Sequence, residues 1–330
     1  MRIIIEKPKR VVFMGTPEFA VPPLRALVEH APPAKLWATG LDIVGVVTRP
    51  DKPSGRGRQV VASPVKQFAA KHGIPVYQPG PLRRPEALKL LETLDPEVII
   101  VAAFGQILPP EVLELPRHCC LNVHASLLPR WRGAAPIAAA ILAGDADTGV
   151  TIMQMEEGLD TGPIIAQRAT PIGASETAGE LTDRLAELGA RLLVEMLPYW
   201  LADGASTREQ DETQATMTRP LKKGDGRLDW SQSADELGRQ VRAYSPWPGA
   251  FTTWKGARVK LLQAHAVPAK EHGASGTSRR AANDGVAWLE VACGQGALAL
   301  DVIQLEGKRA LPIGDVLRGH PALADAVFGT

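Results

Sequence analysis

Length, composition and charge restrict the class of protein. The chain has 330 residues, more than one typical domain, and 45% of them are hydrophobic, as in an ordinary globular protein. The net charge is only +1, but the segment from Ala215 to Thr330 carries 15 basic and 11 acidic residues and is mildly basic. The three cysteines form no C-x-x-C pair, and no apolar run approaches the roughly 20 residues of a membrane span. We therefore expect a soluble, cytoplasmic, two-domain protein without a disulfide framework.

Apolar runs and helical periodicity alternate along the first two thirds of the chain. The runs predict strands at Arg10–Met14, Asp42–Thr48, Pro75–Tyr77, Val98–Ala102 and Val150–Met155. Helical patterns occupy Phe19–Glu29, Pro64–His72, Pro85–Leu94, Ala134–Ala143 and Thr177–Trp200, with Thr16 and Ser63 as candidate N-caps of the first two. This order predicts a parallel α/β sheet whose ligands bind beyond the carboxyl ends of the strands. Neither the dinucleotide fingerprint nor the P-loop occurs, so NAD and ATP lack support.

The pattern changes after residue 200. Leu201–Thr218 is polar and suits a connection, whereas short alternating strands separated by glycine-containing turns follow Gly249 and predict a small β-barrel. His272–Asp284 is rich in small residues and predicts a mobile loop. We predict an α/β domain over 1–205, a linker over 206–222 and a β-barrel domain over 223–330.

The stretch from Cys119 to Pro136 contains the main candidate for chemistry. Asn122 and His124 are separated by one apolar residue, so in a strand both side chains project to the same face. An amide can stabilise a developing oxyanion, and an imidazole can transfer protons near neutral pH. The same pair can equally cap a strand end or bind a neighbouring loop, because lone polar pairs are commonly structural.

Three stretches together resemble the methionyl-tRNA formyltransferase family. They are F-M-G-T-P-E-F-A at Phe13–Ala20, the segment from Asn122 through Gly133, and G-L-D-T-G-P at Gly158–Pro163. Further matches are V-T-I-M-Q-M, S-P-W-P-G and L-E-G-K-R, and the motif order is kept over nearly the whole chain. The resemblance implies a Rossmann-like formyltransferase domain followed by a small OB-like β-barrel domain.

The resemblance also implies a reaction and its residues. A formyl group would pass from 10-formyltetrahydrofolate to the α-amino group of methionine on initiator tRNA, through a tetrahedral intermediate. Asn122, His124 and Asp160 match the catalytic trio of the family. Asn122 and protonated His124 would stabilise the oxyanion, and Asp160 would fix the charge or tautomer of His124 or help carry protons. Taken alone, Asp160 between glycine-containing dipeptides can be a simple turn residue.

Contacts to folate and tRNA follow from the same resemblance. The implied folate-binding residues are Ser126, Leu127, Leu128, Pro129, Phe104, Gly105, Gln106, Ile107 and Leu108. The apolar members of this set can equally be loop-packing residues. The implied tRNA-binding residues lie in the basic loop from Arg49 to Arg58 and are Arg56, Arg58, Lys52 and Arg49. By charge alone this loop can be merely solvated. We expect no metal and a monomer. The roles of the residues before the first strand and of the enlarged loop at 31–40 are open.

Three rivals stay open at this stage. A folate-dependent formyltransferase acting on an amino sugar nucleotide or a purine precursor would share the trio, but a small substrate does not require the basic loop. A hydrolase could release formate from the same folate. A non-catalytic RNA-binding protein could use the barrel and loop, but it would have no reason to keep Asn122, His124 and Asp160 together.

Overall fold

A computed structural model describes residues 7–30, 40–54, 59–268, 273–283 and 286–330. The chain separates into two compact units. The first contains Met1–Pro136, Asp147–Pro171 and Thr182–Thr218, and the second contains Ile137–Ala146, Ile172–Leu181 and Arg219–Thr330. The domain boundaries at 205 and 223 stay a prediction, and the predicted enlarged loop at 31–39 lies outside the described residues.

The elements up to residue 218 follow the predicted alternation closely. The strands are β1 (Lys9–Gly15), β2 (Leu41–Val47), β3 (Lys52–Ser54), β4 (Gln59–Val61), β5 (Val76–Tyr77), β6 (Val98–Ala102), β7 (Cys120–His124), β8 (Arg132–Gly133), β9 (Asp147–Gln154), β10 (Ile164–Pro171) and β11 (Met217–Thr218). The helices are α1 (Val21–His30), α2 (Pro64–Lys71), α3 (Pro85–Leu94), α4 (Pro110–Leu113), α5 (Pro136–Ala143) and α6 (Ala178–Leu201).

A seven-stranded sheet in the order β10-β9-β7-β6-β1-β2-β5 forms the centre of the first unit. The strands from β7 to β5 in this order are parallel, and β9 and β10 add two antiparallel strands beside β7. Every residue of β6 and β7 is buried, as expected for central strands covered on both faces. Register pairs Gly15 with Ala102 and Val101 with Asn122. The carboxyl ends of β1, β6 and β7 therefore meet at one edge.

One of the two predicted N-caps is wrong. Ser63 caps α2, because its Oγ accepts from the Lys66 backbone N–H at 3.1 Å. Thr16 caps no helix, since the 3-10 turn before α1 starts after Pro17. Its hydroxyl instead donates to the Phe104 carbonyl (3.2 Å) and accepts from the Arg49 N–H (3.4 Å). The side chain thus ties together loops that leave β1, β6 and β2.

The second unit contains a six-stranded antiparallel sheet. Its strands are β12 (Ala250–Trp254), β13 (Ala257–Val267), β14 (Ser278–Asn283), β15 (Val286–Ala292), β16 (Ala297–Leu305) and β17 (Leu311–Pro312), and helices α7 (Ala234–Ala243) and α8 (Ile313–Gly319) accompany them. Ser233 and Glu236 form a capping box that starts α7. The predicted mobile loop at His272–Asp284 is wrong for Ser278–Asn283, which pairs with β15. Partner strands, rather than local propensity, decided this element.

The predicted fold class is confirmed: a parallel-strand α/β sheet is followed by a small antiparallel β domain. Among the helices of the described residues, none combines the length and apolar character that a membrane crossing requires.

The helix–sheet contact beside β7 generates a stability prediction. An ideal Cβ added to Gly189 on α6 would lie 2.7 Å from Val123 Cγ1 of β7, closer than side chains normally approach. Overpacking costs about 1–3 kcal/mol, whereas Ala in place of a helical Gly gains up to about 1 kcal/mol. We expect Gly189→Ala to lower the free energy of unfolding, as measured by chemical denaturation.

Gly238→Ala is the matched control. This glycine lies in α7, and its added Cβ would meet nothing closer than 3.8 Å, which is ordinary contact. Its substitution is expected to raise stability by up to about 1 kcal/mol. Equal effects of the two substitutions would show that close packing of α6 on β7 does not need a glycine.

Candidate active site

The alternation of β7 brings Asn122 and His124 to one face, as the sequence predicts. Both side chains are buried, with 8% and 6% of their surfaces exposed. Neighbouring strands fix their positions, because Asn122 pairs with Val101 of β6 and Met153 of β9, and His124 pairs with Thr151. The central location in the sheet gives the pair a rigid support.

Asp160 lies between β9 and β10 and completes the cluster. Its Oδ1 accepts from Asn122 Nδ2 at 3.2 Å, and its Oδ2 accepts from the Gly133 N–H at 2.9 Å. The same Oδ2 is 3.6 Å from His124 Nδ1, an ion-pair distance when the imidazole is protonated. The residue has a φ of 55°, a left-handed conformation that Asp tolerates better than most residues. The structure therefore brings together the three residues predicted as a trio.

The backbone fixes which nitrogen of His124 is available. His124 Nε2 is 3.0 Å from the Trp131 carbonyl oxygen, which can only accept, so Nε2 carries the hydrogen and donates. The other nitrogen, Nδ1, is the one that faces Asp160. Nδ1 is therefore the ring nitrogen that is left to exchange a proton or to contact a ligand.

A short parallel strand pair holds the segment that contacts both His124 and Asp160. Strand β8 pairs with β11, and Arg132 and Gly133 register with Met217 and Thr218. A Cβ on Gly133 would lie 2.3 Å from the Thr218 carbonyl oxygen, and its φ is 107°. Only glycine fits this close approach, and it places the Gly133 N–H against Asp160.

Sequence reasoning missed the side chains that support this loop. The Arg132 guanidinium is buried and donates to Gln210 Oε1 and to both carboxylate oxygens of Glu212. This contact lowers the pKa of Glu212. The only signal was Arg132 itself, because an arginine requires acceptors if it is buried. Gln210 and Glu212 fall in the segment predicted as a linker, and the sequence does not show that they reach Arg132.

The two cysteines at the start of β7 are not activated nucleophiles. Burial raises the pKa of the Cys120 thiol strongly and is also the main cause that raises the pKa of Cys119. Both thiols are therefore neutral near pH 7. Within the described ranges, no three His, Cys, Asp or Glu side chains are grouped so that they could hold a metal ion.

The predicted folate-binding residues occupy two loops at the same sheet edge. Phe104, Leu108, Ser126 and Leu128 are buried, and Leu128 packs with Met153 and Ile164. The accessible members are Ile107, whose side chain is 73% exposed, exposed Gly105, and half-buried Gln106, Leu127 and Pro129. The buried members can shape a pocket, and only the accessible members can touch a ligand.

Of the predicted tRNA-binding residues, Lys52 begins strand β3, which forms a hairpin with β4, and Arg49 lies three residues before it. Lys52 is exposed and Arg49 is half-buried, whereas Arg56 and Arg58 lie outside the described residues. The one acid of this stretch, Asp51, binds Lys66 and Gln78, and chiefly the contact with Lys66 lowers its pKa. Its negative charge is thereby paired with Lys66.

Comparison with known proteins identifies the family. The family described as Formyl transferase matches residues 9–197, and the Formyl transferase, C-terminal domain matches residues 220–321. A methionyl-tRNA formyltransferase of Marinobacter nauticus is 50% identical over 94% of this chain and 96% of its own length. That of Methylococcus capsulatus is 46% identical over 97% of this chain and its whole length.

A solved structure supports the fold independently. An N-formyltransferase from Helicobacter canadensis, in complex with folinic acid and dTDP-3-aminofucose, has a TM-score of 0.62 at 16% identity and covers 89% of this chain and 98% of its own. At this identity the likeness concerns the fold alone. The two family matches and the near-full-length relatives decide the assignment: the chain belongs to the methionyl-tRNA formyltransferase family.

Proposed function

We propose that the protein transfers the formyl group of 10-formyltetrahydrofolate to the α-amino group of methionine on initiator tRNA. The observation that carries this proposal is the buried cluster of Asn122, His124 and Asp160 in a chain 46–50% identical to methionyl-tRNA formyltransferases. A binding protein has no need of such a cluster. We also propose that the protein acts in the cytoplasm, where charged tRNA is used, and as a monomer.

Asn122 and His124 have distinct roles in this proposal. The folate donor supplies an activated formyl carbonyl, which the free amine of methionine attacks. Asn122 uses one amide hydrogen for Asp160 and has a second hydrogen to donate to the developing oxyanion. Protonated His124 donates to the same oxygen from Nδ1, since Nε2 is held by Trp131.

Asp160 supports both partners electrostatically. Its carboxylate lies 3.6 Å from His124 Nδ1, where it can pair with the positive charge that the imidazole carries when it is protonated. The same group accepts from Asn122, which orients the amide toward the reacting carbonyl. The attacking α-amine titrates near pH 8, so a substantial fraction is uncharged at cellular pH without a strong base. When the tetrahedral intermediate collapses, the bond between the formyl carbon and N10 of the folate breaks, the amine proton leaves through water, and N10 of the released tetrahydrofolate takes up a proton.

The folate contacts are proposed for the two loops at the edge of β6 and β7. The pterin would lie against Ile107, whose exposed apolar side chain is otherwise unfavourable in water. Gly105, with a φ of 75°, has the left-handed backbone that favours glycine, and the Arg49 side chain lies beside it. Leu127 and Pro129 would form the opposite wall, with Phe104, Leu108, Ser126 and Leu128 as the support beneath. This combination of apolar walls and few polar groups fits a folate.

The tRNA contacts are proposed for Arg49, Lys52, Arg56 and Arg58. The base of this stretch is anchored, because Gln78 donates to the Arg49 carbonyl (2.8 Å) and to Asp51 (2.7 Å). With Asp51 paired to Lys66, the one acid of the stretch is already neutralised and does not compete with phosphates for Lys52.

A comparison of acceptors tests the proposed function directly. Formyl transfer from 10-formyltetrahydrofolate is measured with Met-charged initiator tRNA, Met-charged elongator tRNA, free methionine and an amino sugar nucleotide. Transfer confined to the charged initiator tRNA is expected. Transfer to the sugar nucleotide instead would be consistent with the role of the catalytic cluster, but it would show that initiator tRNA is not the acceptor. Transfer to no acceptor would support the RNA-binding alternative, and formate release without transfer would support the hydrolase.

Substitution of Asn122 tests the oxyanion contact. Asn122→Ala removes the amide donor and is expected to lower kcat roughly 10²- to 10³-fold. The affinity for Met-tRNA, measured by direct binding, should stay within about two-fold because Asn122 is buried away from the basic hairpin. Unchanged turnover would reject the oxyanion role.

Two further variants separate chemistry from folding. Asn122→Asp keeps the shape but removes the donor and places a second carboxylate beside Asp160, so kcat should fall at least as far. His72→Ala alters an exposed histidine whose ring contacts only α2, and it should leave kcat unchanged. Thermal melting of all three variants checks that the fold is kept.

Substitution of Arg56 tests the proposed tRNA contact. Arg56→Ala should weaken Met-tRNA binding roughly ten-fold or more and reduce the slope of log affinity against log salt by about one. The kcat at saturating tRNA should change little. Arg191→Ala, an exposed arginine on α6, is the control and should keep the full salt slope. Equal salt slopes for the two variants would show that Arg56 does not contact the tRNA phosphates.

A further inference from the structure

Gln210 contacts the loop that carries Asp160 through two backbone carbonyls. Its Nε2 donates to the carbonyl of Asp160 at 2.8 Å and to the carbonyl of Gly162 at 2.7 Å. These bonds use both amide hydrogens, and one of them fixes the backbone of Asp160, whose carboxylate contacts Asn122 and His124. The side chain therefore holds the backbone on both sides of Thr161.

Arg132 determines which end of the Gln210 amide faces the loop. Arg132 Nε and Nη2 donate to Gln210 Oε1 at 3.0 and 2.9 Å. A flipped amide would place its NH₂ group against the guanidinium and its oxygen against two carbonyl oxygens. The buried arginine thus permits one orientation of the amide, in which both donors point to the Asp160 loop.

Glu212 balances the charge of this arrangement. Arg132 is 3% exposed, and a buried guanidinium without an anion would be costly. Glu212 accepts from Nη1 at 2.9 Å and from Nη2 at 2.6 Å, a bidentate pair. The side chain of Glu212 is 69% exposed, so this pair closes the network at the surface.

Trp131, Arg132 and Gly133 join the network to the cluster by a second route. The Trp131 carbonyl accepts from His124, and the Gly133 N–H donates to Asp160. Arg132 lies between these two residues and reaches the other side of Asp160 through Gln210. The carboxylate and the backbone of Asp160 are therefore fixed relative to the same short strand, β8.

We propose that Gln210 is a positioning residue for Asp160, so that a side chain in the segment predicted as a linker supports the catalytic cluster. This inference rests on the proposed formyl transfer. Gln210 touches no reacting atom, and it acts by holding the left-handed backbone of Asp160 in place. Without it, the carboxylate would lose its fixed distance to His124.

A purely structural role predicts a different result. If Gln210 served only to attach its segment, its removal would lower stability and leave kcat per folded molecule unchanged. A positioning role predicts a fall in kcat with KM values for both substrates within about three-fold. A misplaced catalytic group costs up to about 100-fold in rate.

The test compares Gln210→Ala with Gln214→Ala in the full chain. Gln214 is the matched control, because it lies in the same segment and donates only to the exposed Asp211. Gln210→Ala should lower kcat roughly 10- to 100-fold and speed amide hydrogen exchange in residues 157–163. The control should do neither. Wild-type kcat and exchange in Gln210→Ala would overturn the proposal.

Gln210→Glu gives a second readout that a merely structural residue would not affect. Its carboxylate can still accept from Arg132, but its other oxygen would face two carbonyl oxygens until it is protonated. The ratio of variant to wild-type kcat should therefore rise as the pH is lowered toward the ordinary range of a glutamic acid, near 4.3. A ratio that stays flat from about pH 7 down to about pH 4.3 would contradict the proposal.

The outcomes distinguish this inference from the proposed function. If the wild-type protein transfers no formyl group to any acceptor, the proposed function fails. Hydrogen exchange of residues 157–163 then decides whether Gln210 holds the Asp160 loop. If the wild type is active and Gln210→Ala is equally active, only the positioning role fails.

Discussion

The site depends on one carboxylate held in a left-handed backbone conformation. Asp160 meets Asn122 through one oxygen, and Gly133 and His124 through the other. Asn122 and His124 come from β7 and Gly133 from β8, and none of these contacts is local in sequence. A largely buried carboxylate without such donors would be costly, so the surrounding loops must fold around it for the unit to be stable. Stability and chemistry therefore require the same contacts here.

Rigid and irregular parts of the first unit have separate tasks. The central strand β7 is buried on every residue and fixes the side chains of Asn122 and His124. Backbone groups outside the large sheet, namely the Trp131 carbonyl and the Gly133 N–H of the short strand β8, select a nitrogen of His124 and orient Asp160. A central strand of the large sheet could not present such groups, because its backbone groups are used in the ladder.

The surroundings of the cluster offer two kinds of surface. At the carboxyl edge of the sheet, exposed Ile107 and the Ser126–Pro129 loop offer apolar surface with few charges, as in many ligand pockets. At the β3–β4 hairpin, Lys52 is exposed, and Gln78 anchors the backbone of the preceding Arg49. Members of a shared fold can thus differ in acceptor while keeping the chemistry, because the loops change independently of β7.

The sequence by itself determined the fold class, most elements of the sheet and the identity of the family. Apolar periodicity is a local property, and the alternation around Val123 is enough to place Asn122 and His124 on one face. Tertiary structure decided the rest. Strand β14 exists because β15 pairs with it, and Thr16 binds Phe104 and Arg49 instead of capping a helix. Only the tertiary structure brings Gln210 to Arg132 and to the Asp160 loop. Hydrogen bonds between distant residues leave no periodic signal in a sequence, because each depends on where the chain returns and not on the spacing of its neighbours.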